Sequence, residues 1–140
     1  MPFAYRSHIF SGTKVIAEYA AGAAPNSPNT EYIYSGSLLL AQISGGTTTY
    51  FQPDQTSIRL LTDSSGNVIG QQGDFPFGES WYQQNATTKW QFTTYERDAE
   101  SGNDYAIFRG YVSRLGRFSA PDQIAGSDNS VVSRILLKSV

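Results

Sequence analysis

Apolar and polar residues alternate along most of the chain, in short runs that glycine-containing turns separate. Residues 8–19 align with residues 32–43 at an offset of 24 positions, and the isoleucine, serine, glycine and alanine positions coincide. A period of two indicates strands with one buried face, and a Ser-Gly dipeptide between two such runs indicates a hairpin turn. The two copies therefore predict two equivalent β-hairpins. A single hairpin cannot bury its apolar face alone, so the hairpins must pack beside neighbours.

Further hairpins are predicted between residues 38 and 90. Residues 38–43 (LLLAQI) are apolar at all but one position, which predicts a strand buried on both faces or inside an oligomer. Ser44-Gly45-Gly46 is typical of a primed hairpin turn, and residues 47–52 form the return strand. Asp63 and Gly66 favour a second turn. A third hairpin is predicted with a polar tip at residues 83–88.

Residues 90–122 (WQFTTYERDAESGNDYAIFRGYVSRLGRFSAPD) contain the densest turn pattern. Two short aromatic strands flank a polar turn at residues 98–104, and a second turn follows at 113–117. Carboxylates in such turns accept backbone amide hydrogens, and glycine takes the positive φ angles. The predicted turn residues are Asp98, Gly102, Asp104 and Gly116. Arg97 and Arg109 are the expected partners of the two carboxylates.

Composition narrows the fold class and excludes several kinds of site. The 140 residues correspond to one domain, and the 14% aromatic share together with 13 glycines favours strands and turns. We therefore expect an all-β fold of antiparallel hairpins in a curved sheet, as a small barrel, a sandwich or an open piece. The absence of cysteine excludes disulfides and thiolate sites, and a single histidine excludes a multi-histidine metal site. No metal or cofactor is expected.

Charge and hydropathy limit the partners. A net charge of −2 argues against a nucleic-acid binder, which normally carries a basic stripe. No apolar run reaches the length of a membrane helix, and the first residues lack the layout of a signal peptide. The sequence leaves localisation open between the cytoplasm and export within a larger protein. We expect the chain to be a fragment of a longer polypeptide.

The run at 90–122 resembles the core signature of the Rhs/YD-repeat family. The matching positions are Phe92, Thr93, Tyr95, Glu96, Arg97, Asp98, Glu100, Ser101, Gly102, Tyr105, Arg109, Tyr111, Gly116, Arg117, Phe118, Pro121 and Asp122. The resemblance implies one module with three parts: two YD-like repeats at 1–49, the Rhs core signature at 50–126, and a divergent tail at 127–140. The tail pattern favours a short amphipathic helix, with an additional strand as the alternative.

The resemblance also implies a function. In Rhs proteins many such hairpins spiral into a hollow β-shell that encloses a C-terminal toxin, and 140 residues are too few to close that shell. We expect a non-catalytic structural module whose partner is the remainder of a parent Rhs polypeptide or a second copy of itself. The alternative is a carbohydrate- or surface-binding module that uses a platform of aromatic side chains. Its candidate residues are Trp81, Tyr82, Trp90, Tyr95 and Tyr105, and the competing interpretation places most of these rings in the core.

Asp122 is the candidate remnant of a catalytic site. In Rhs cores and in the C component of toxin complexes, an S-P-D-P segment begins an aspartyl self-cleaving site that a second D-P-x-G completes. Here Gln123 replaces the second proline, and no D-P-x-G follows. Two aspartates must share a proton to activate water in this way. We therefore expect no enzymatic activity, with a residual aspartyl autoprotease as a distant alternative.

Overall fold

The computed structural model describes residues 6–55, 57–106 and 108–121. The predicted all-β, antiparallel fold is confirmed. Eight strands form one sheet in sequential order: β1 (Arg6–Ser11), β2 (Lys14–Ala20), β3 (Thr30–Ser35), β4 (Leu38–Ser44), β5 (Thr47–Asp54), β6 (Ser57–Thr62), β7 (Val68–Asp74) and β8 (Ser80–Gln84). Neither this sheet nor the second one closes into a barrel within those ranges, so the barrel alternative is wrong.

A smaller sheet follows in the chain. Its strands are β9 (Glu96–Arg97), β10 (Asp104–Ala106), β11 (Arg109–Val112) and β12 (Arg117–Phe118), in the order β12-β11-β10-β9. Two short 3-10 segments, Phe92–Thr94 and Ser113–Leu115, lie before β9 and before β12. The turns predicted at 98–104 and 113–117 join β9 to β10 and β11 to β12.

The sequence repeat is a structural repeat. The β1–β2 and β3–β4 hairpins have the same register at the 24-residue offset, and each contains a β-bulge at the same place. The equivalent cross-strand pairs are Ile9–Ala17 with Ile33–Ala41, and Phe10–Val15 with Tyr34–Leu39. Each hairpin turns at its Ser-Gly position, where the glycine has a φ of +61° in the first copy and +58° in the second. The equal registers follow from equal turns, because turn geometry fixes hairpin register.

The core lies on one side of the large sheet. Its buried cluster consists of Val15, Tyr32, Leu39, Phe51, Ile58, Leu61, Ala86 and Trp90. Six of these side chains come from strands of the sheet, and the last two come from the segment that follows β8. That segment covers the sheet instead of extending it.

The hairpin predicted with its tip at 83–88 is therefore wrong. After Gln84 the chain leaves the sheet, and Trp90 makes an isolated bridge with Glu96 instead of pairing beside β8. The crossing is possible at Gly70, because a Cβ atom there would lie 2.6 Å from the carbonyl oxygen of Asn85. A glycine at this point allows the backbone to approach the sheet closely.

Within the described part of the chain, residues 38–43 are buried on one face only, so the first predicted alternative is wrong and burial inside an oligomer stays a prediction. Leu39 and Ala41 are buried, whereas Leu40 is 36% exposed and Ile43 is only half-buried. The physical reason is the one-sided cover: the 85–95 segment protects one face of β4, and no described residue packs over the other in the same way.

The tail at 127–140 and Asp122 lie outside the described residues. The described residues contain no helix long and apolar enough to cross a membrane.

Candidate functional site

A half-open cavity of about 550 Å³ lies where the tips of the two repeat hairpins meet the segment before the small sheet. The hairpins contribute His8 and Phe10 from β1, Lys14 from β2 and Tyr34 from β3. Residues 93–96 and strand β10 supply the opposite wall. The cavity therefore depends on the repeat, because equal hairpins place their turns side by side.

The five aromatic candidates do not form one platform. Trp90, Tyr95 and Tyr105 line the cavity, whereas Trp81 and Tyr82 do not. Trp90 is buried and meets the Tyr32 ring edge-on at 5.3 Å, so it is a core residue that shows only part of its ring to the cavity. Tyr105 is 62% exposed, and Phe108 beside it is 87% exposed. These two rings form the accessible rim.

Trp81 and Tyr82 lie on the edge strand β8. Trp81 packs against Phe75 at 6.0 Å and against Tyr82 at 5.4 Å between ring centroids. The Tyr82 ring covers Gly73 on the neighbouring strand, where a side chain would collide with it. Tyr82 therefore packs over a strand glycine, whereas the Trp81 ring is 67% exposed.

A buried carboxylate stands next to the cavity. Glu18 is only 1% exposed, and its Oε1 accepts a hydrogen bond from the Tyr32 hydroxyl at 2.8 Å. The Lys89 ammonium lies 2.5 Å from the same oxygen and 2.9 Å from Oε1 of Glu96, while Arg6 reaches Oε2 at 3.3 Å. Lys89 thus bridges two carboxylates, and Arg6 supplies a second positive charge to Glu18.

Burial and these contacts shift the pKa values of Glu18, Tyr32 and Tyr34. Burial alone raises the pKa of Glu18, but the hydrogen bonds from Lys89 and Tyr32 outweigh it, and the net pKa is lowered. Burial raises the pKa of Tyr32, and the hydrogen bond to the Glu18 carboxylate raises it further. Burial, together with the charges of Glu18 and Glu96, raises the pKa of Tyr34 to about 12. Both tyrosines are therefore neutral hydrogen-bond donors at neutral pH.

Lys14 is placed differently from Lys89. Its ammonium donates to the carbonyl oxygen of Gly36 in the neighbouring hairpin turn and lies 5.5 Å from the Tyr34 ring centroid. No carboxylate of the described ranges forms an ion pair with it. Lys14 therefore brings a positive charge to the cavity without a neutralising side chain.

The predicted turn residues divide into two groups. Asp98 accepts hydrogen bonds from the amides of Glu100 and Ser101 at 3.2 and 3.3 Å, and from the Ser101 hydroxyl at 2.6 Å. The Ser101 hydroxyl and the two amides lower the pKa of Asp98. Gly102 has a φ of +69°, and Gly116 has a φ of +62° at the end of the second 3-10 segment.

Asp104 has the expected arginine partner but differs from the prediction in one respect: it is the first residue of β10 and does not bond turn amides. Its carboxylate is fully buried and accepts hydrogen bonds from Nε of Arg97 at 2.6 Å and from Nη2 at 3.0 Å. Burial raises the pKa of Asp104, while Arg97 opposes that rise. A fork-shaped guanidinium satisfies a buried carboxylate better than a turn would. The Arg109 guanidinium lies 3.9 Å from the Phe118 ring centroid.

Glu18 and Lys89 were not predicted as site residues. Alternation alone places Glu18 on the face of the exposed Ile16, and the β-bulge at Ile16 turns Glu18 to the buried side instead. Lys89 gives no signal either, since it follows the non-repetitive segment. No group of three or more histidine, cysteine or acidic residues in the described part of the chain is arranged to hold a metal ion.

Comparisons with known proteins give a fold likeness. No family model and no curated protein match this sequence. A crystal structure of TcdB2-TccC3 without its hypervariable C-terminal region superposes with a TM-score of 0.61 at 16% identity, over 80% of this chain and 6% of that one. The Tc holotoxin pore of Photorhabdus luminescens, with a mutated TccC3, gives 0.57 at 17% identity, over 93% of this chain and 8% of that one. At these identities the likeness concerns the fold, and this chain spans less than a tenth of either relative.

Proposed function

We propose that this chain is a non-catalytic structural module, one piece of an Rhs-type β-shell. The observation that carries the proposal is the eight-stranded sequential sheet, in which equivalent hairpins repeat with the same register and bulge. Such a sheet extends by adding further hairpins at its ends, as repeat proteins do. The fold likeness to chains of Tc toxin structures, together with the motif resemblance at 90–122, supports the same function.

The two ends of the sheet are the surfaces through which the module joins its partner. Every residue of β1 and of β8 is exposed, and each strand has only one described neighbour. An edge strand presents unpaired backbone amides and carbonyls, which pair readily with another strand. In a parent polypeptide the partner is the adjoining hairpin. For the isolated chain we propose a homo-oligomer, most simply a symmetric dimer.

Light scattering of the isolated chain across the micromolar range tests this assembly. Lysine on an edge strand blocks strand addition, so Ile9→Lys in β1 or Trp81→Lys in β8 should shift the mass towards the monomer. Val68→Lys is the matched control, because Val68 is exposed but lies on β7, which has neighbours on both sides. A wild-type chain that is monomeric throughout, or an oligomer that neither edge lysine affects, contradicts assembly through the edges.

The non-catalytic part of the proposal concerns Asp122. A lone carboxylate cannot be both the acid and the base of a dyad that shares a proton. We therefore expect the intact mass of the full chain to stay constant during prolonged incubation near pH 5 and near pH 7. Loss of the tail after Asp122 in the wild type, but not in Asp122→Asn, would establish an autoprotease instead.

A further inference from the structure

The cavity between the hairpin tips and the small sheet has the size and composition of a small-molecule site. Its volume of about 550 Å³ falls within the range of such sites, which is roughly 300–1,000 Å³. Its walls carry aromatic and aliphatic side chains together with polar groups from His8, Thr13, Lys14, Ser37, Thr93, Thr94 and Glu96. This combination of apolar side chains and polar groups is typical of sites that bind an organic ligand.

A buried polar atom at this cavity lacks a partner. The Oγ1 atom of Thr93 is buried without a hydrogen bond, whereas nearly all buried polar side-chain atoms in proteins have one. The indole nitrogen of Trp90 also lacks a hydrogen bond of standard geometry, although it lies near the Tyr32 hydroxyl. Of the two atoms, the Thr93 hydroxyl is therefore the clearer candidate for a hydrogen bond to a polar group of a ligand.

The same wall holds a strained backbone. Thr93 and Thr94 have φ angles of +47° and +56°, a region that β-branched residues rarely occupy. The conformation is held by the Thr93 amide, which donates to the Ser57 hydroxyl at 3.0 Å, and by the Thr94 hydroxyl, which donates to the Thr93 carbonyl at 2.6 Å. Strain of this kind persists where the surroundings fix it, and it concentrates at ligand sites.

The charges at the cavity indicate the sign of the ligand. Glu96, the one acidic residue that lines the cavity, forms an ion pair with Lys89. Lys14 has no carboxylate partner among the described residues, and its ammonium donates a hydrogen bond to the neutral carbonyl of Gly36. An anionic group entering the cavity therefore meets an available ammonium and an unpaired hydroxyl.

We propose that this cavity binds a small organic anion with a planar aromatic body. The body packs against the rings of Tyr34, Tyr105 and Phe108, and the anionic group pairs with the Lys14 ammonium. The inference concerns an added binding site and does not depend on the proposed structural function. Failure of one leaves the other intact, because assembly through the sheet edges is measured without any ligand.

The test uses two dyes that share an aromatic body and differ in charge. 1-Anilinonaphthalene-8-sulfonate carries a sulfonate, whereas N-phenyl-1-naphthylamine lacks it. The chain has two tryptophans, so in Trp81→Phe the cavity residue Trp90 is the single tryptophan that can transfer energy to the bound dye, and it is excited selectively at wavelengths that tyrosine does not absorb. In this variant we expect saturable quenching of Trp90 by both dyes, with about fivefold tighter binding of the sulfonate, as one partly solvated ion pair allows.

Variants in the Trp81→Phe background distinguish this site from other apolar surfaces. Lys14→Met should weaken the sulfonate about fivefold and leave the neutral dye unchanged, while Arg114→Met, which removes an exposed charge away from the cavity, should alter neither. Phe108→Ala should weaken both dyes about fivefold, and it should not unfold the protein because Phe108 is almost fully exposed. Dye fluorescence without Trp90 quenching, or equal effects of Lys14→Met and Arg114→Met on the sulfonate, would overturn the proposal.

Discussion

Replacing Glu18 by glutamine should destabilise the protein by about 2 kcal/mol, and the structure shows how this value arises. Glutamine keeps the volume of the side chain but removes the charge that Lys89 and the Tyr32 hydroxyl bind. Removing one partner of a buried ion pair typically costs about 3–5 kcal/mol. Here Lys89 is 27% exposed and retains Glu96 at 2.9 Å, so the cost is lower. Most of the expected cost of about 2 kcal/mol comes from losing the charge-assisted hydrogen bond that the buried Tyr32 hydroxyl donates to Glu18.

Urea unfolding followed by tryptophan emission measures this change, because Trp90 packs directly on Tyr32. Glu31→Gln is the matched control: it removes the same charge from an exposed position of β3 and should alter the free energy of unfolding by less than about 0.5 kcal/mol. A double-mutant cycle with Tyr32→Phe should give a coupling energy of at least about 0.5 kcal/mol, because the two side chains are in contact. If the two glutamine variants are equally stable, the Glu18 cluster does not support the sheet as described.

The pH dependence of the same variant provides a second prediction. Because the folded pKa of Glu18 lies below its ordinary value of 4.5, its stabilising contribution is present above that value and is lost as pH falls through the folded pKa. The stability difference between wild type and Glu18→Gln should therefore be largest at neutral pH and shrink in acid. Asp74 and Asp104 have raised pKa values, mainly through burial, and favour folding as pH falls. Both proteins contain them, so their effect cancels in the difference. A difference that stays constant between pH 7 and pH 3 would contradict this origin.

Glycine substitutions supply the remaining predictions. Gly70→Ala should cost about 2 kcal/mol or more, because its Cβ atom would meet backbone atoms of Asn85 and Ala86, and Gly73→Ala should cost less because it meets only a tyrosine ring on an edge strand. Equal urea midpoints for these two variants would contradict the close backbone crossing. Gly102→Val should cost about 1 kcal/mol through its positive φ alone, since nothing lies within 4 Å of the added Cβ atom. Unchanged thermal stability of Gly102→Val would count against this turn.

Local patterns predicted the repeat hairpins and most turns correctly, because each depends on a few adjacent residues. The Ser-Gly turns of the two repeats, the Gly45-Gly46 turn and the Asp63 turn all have the expected conformations. Asp63 accepts hydrogen bonds from the amides of Ser65 and Asn67, both at 2.9 Å. In these cases turn type, register and the faces of the flanking strands follow from one another.

Contacts between distant segments could not be predicted in the same way. Alternation gives the two faces of a strand but not which of them another segment will cover, and residues 38–43 are apolar on both. Asp104 was predicted to bond turn amides with Arg97 or Arg109 as its partner. The Arg97 contact is present, but the turn bonds are not, because Asp104 lies opposite Arg97 on the paired strand. Whether a polar residue beside a turn bonds the turn or a residue on the paired strand depends on the strand register. The register of a two-residue strand such as β9 is weakly encoded in sequence.

The segment after β8, which was wrongly predicted as a hairpin strand, also forms part of the candidate site. Aromatic residues at 81–82 and at 90 suggested two strands of one hairpin, since cross-strand aromatic pairs stabilise sheets. An aromatic residue buries a similar apolar area whether it lies on a hairpin strand or on a segment that crosses over the sheet. Composition therefore cannot distinguish a hairpin strand from a crossing segment. Gly70 and the positive φ of Asn85 determine the outcome, because together they allow the backbone to turn onto the sheet. Once the segment crosses, Trp90 covers Tyr32, Lys89 reaches Glu18, and Thr93 and Thr94 become a wall of the cavity. The candidate site therefore exists only because this segment covers the sheet instead of extending it.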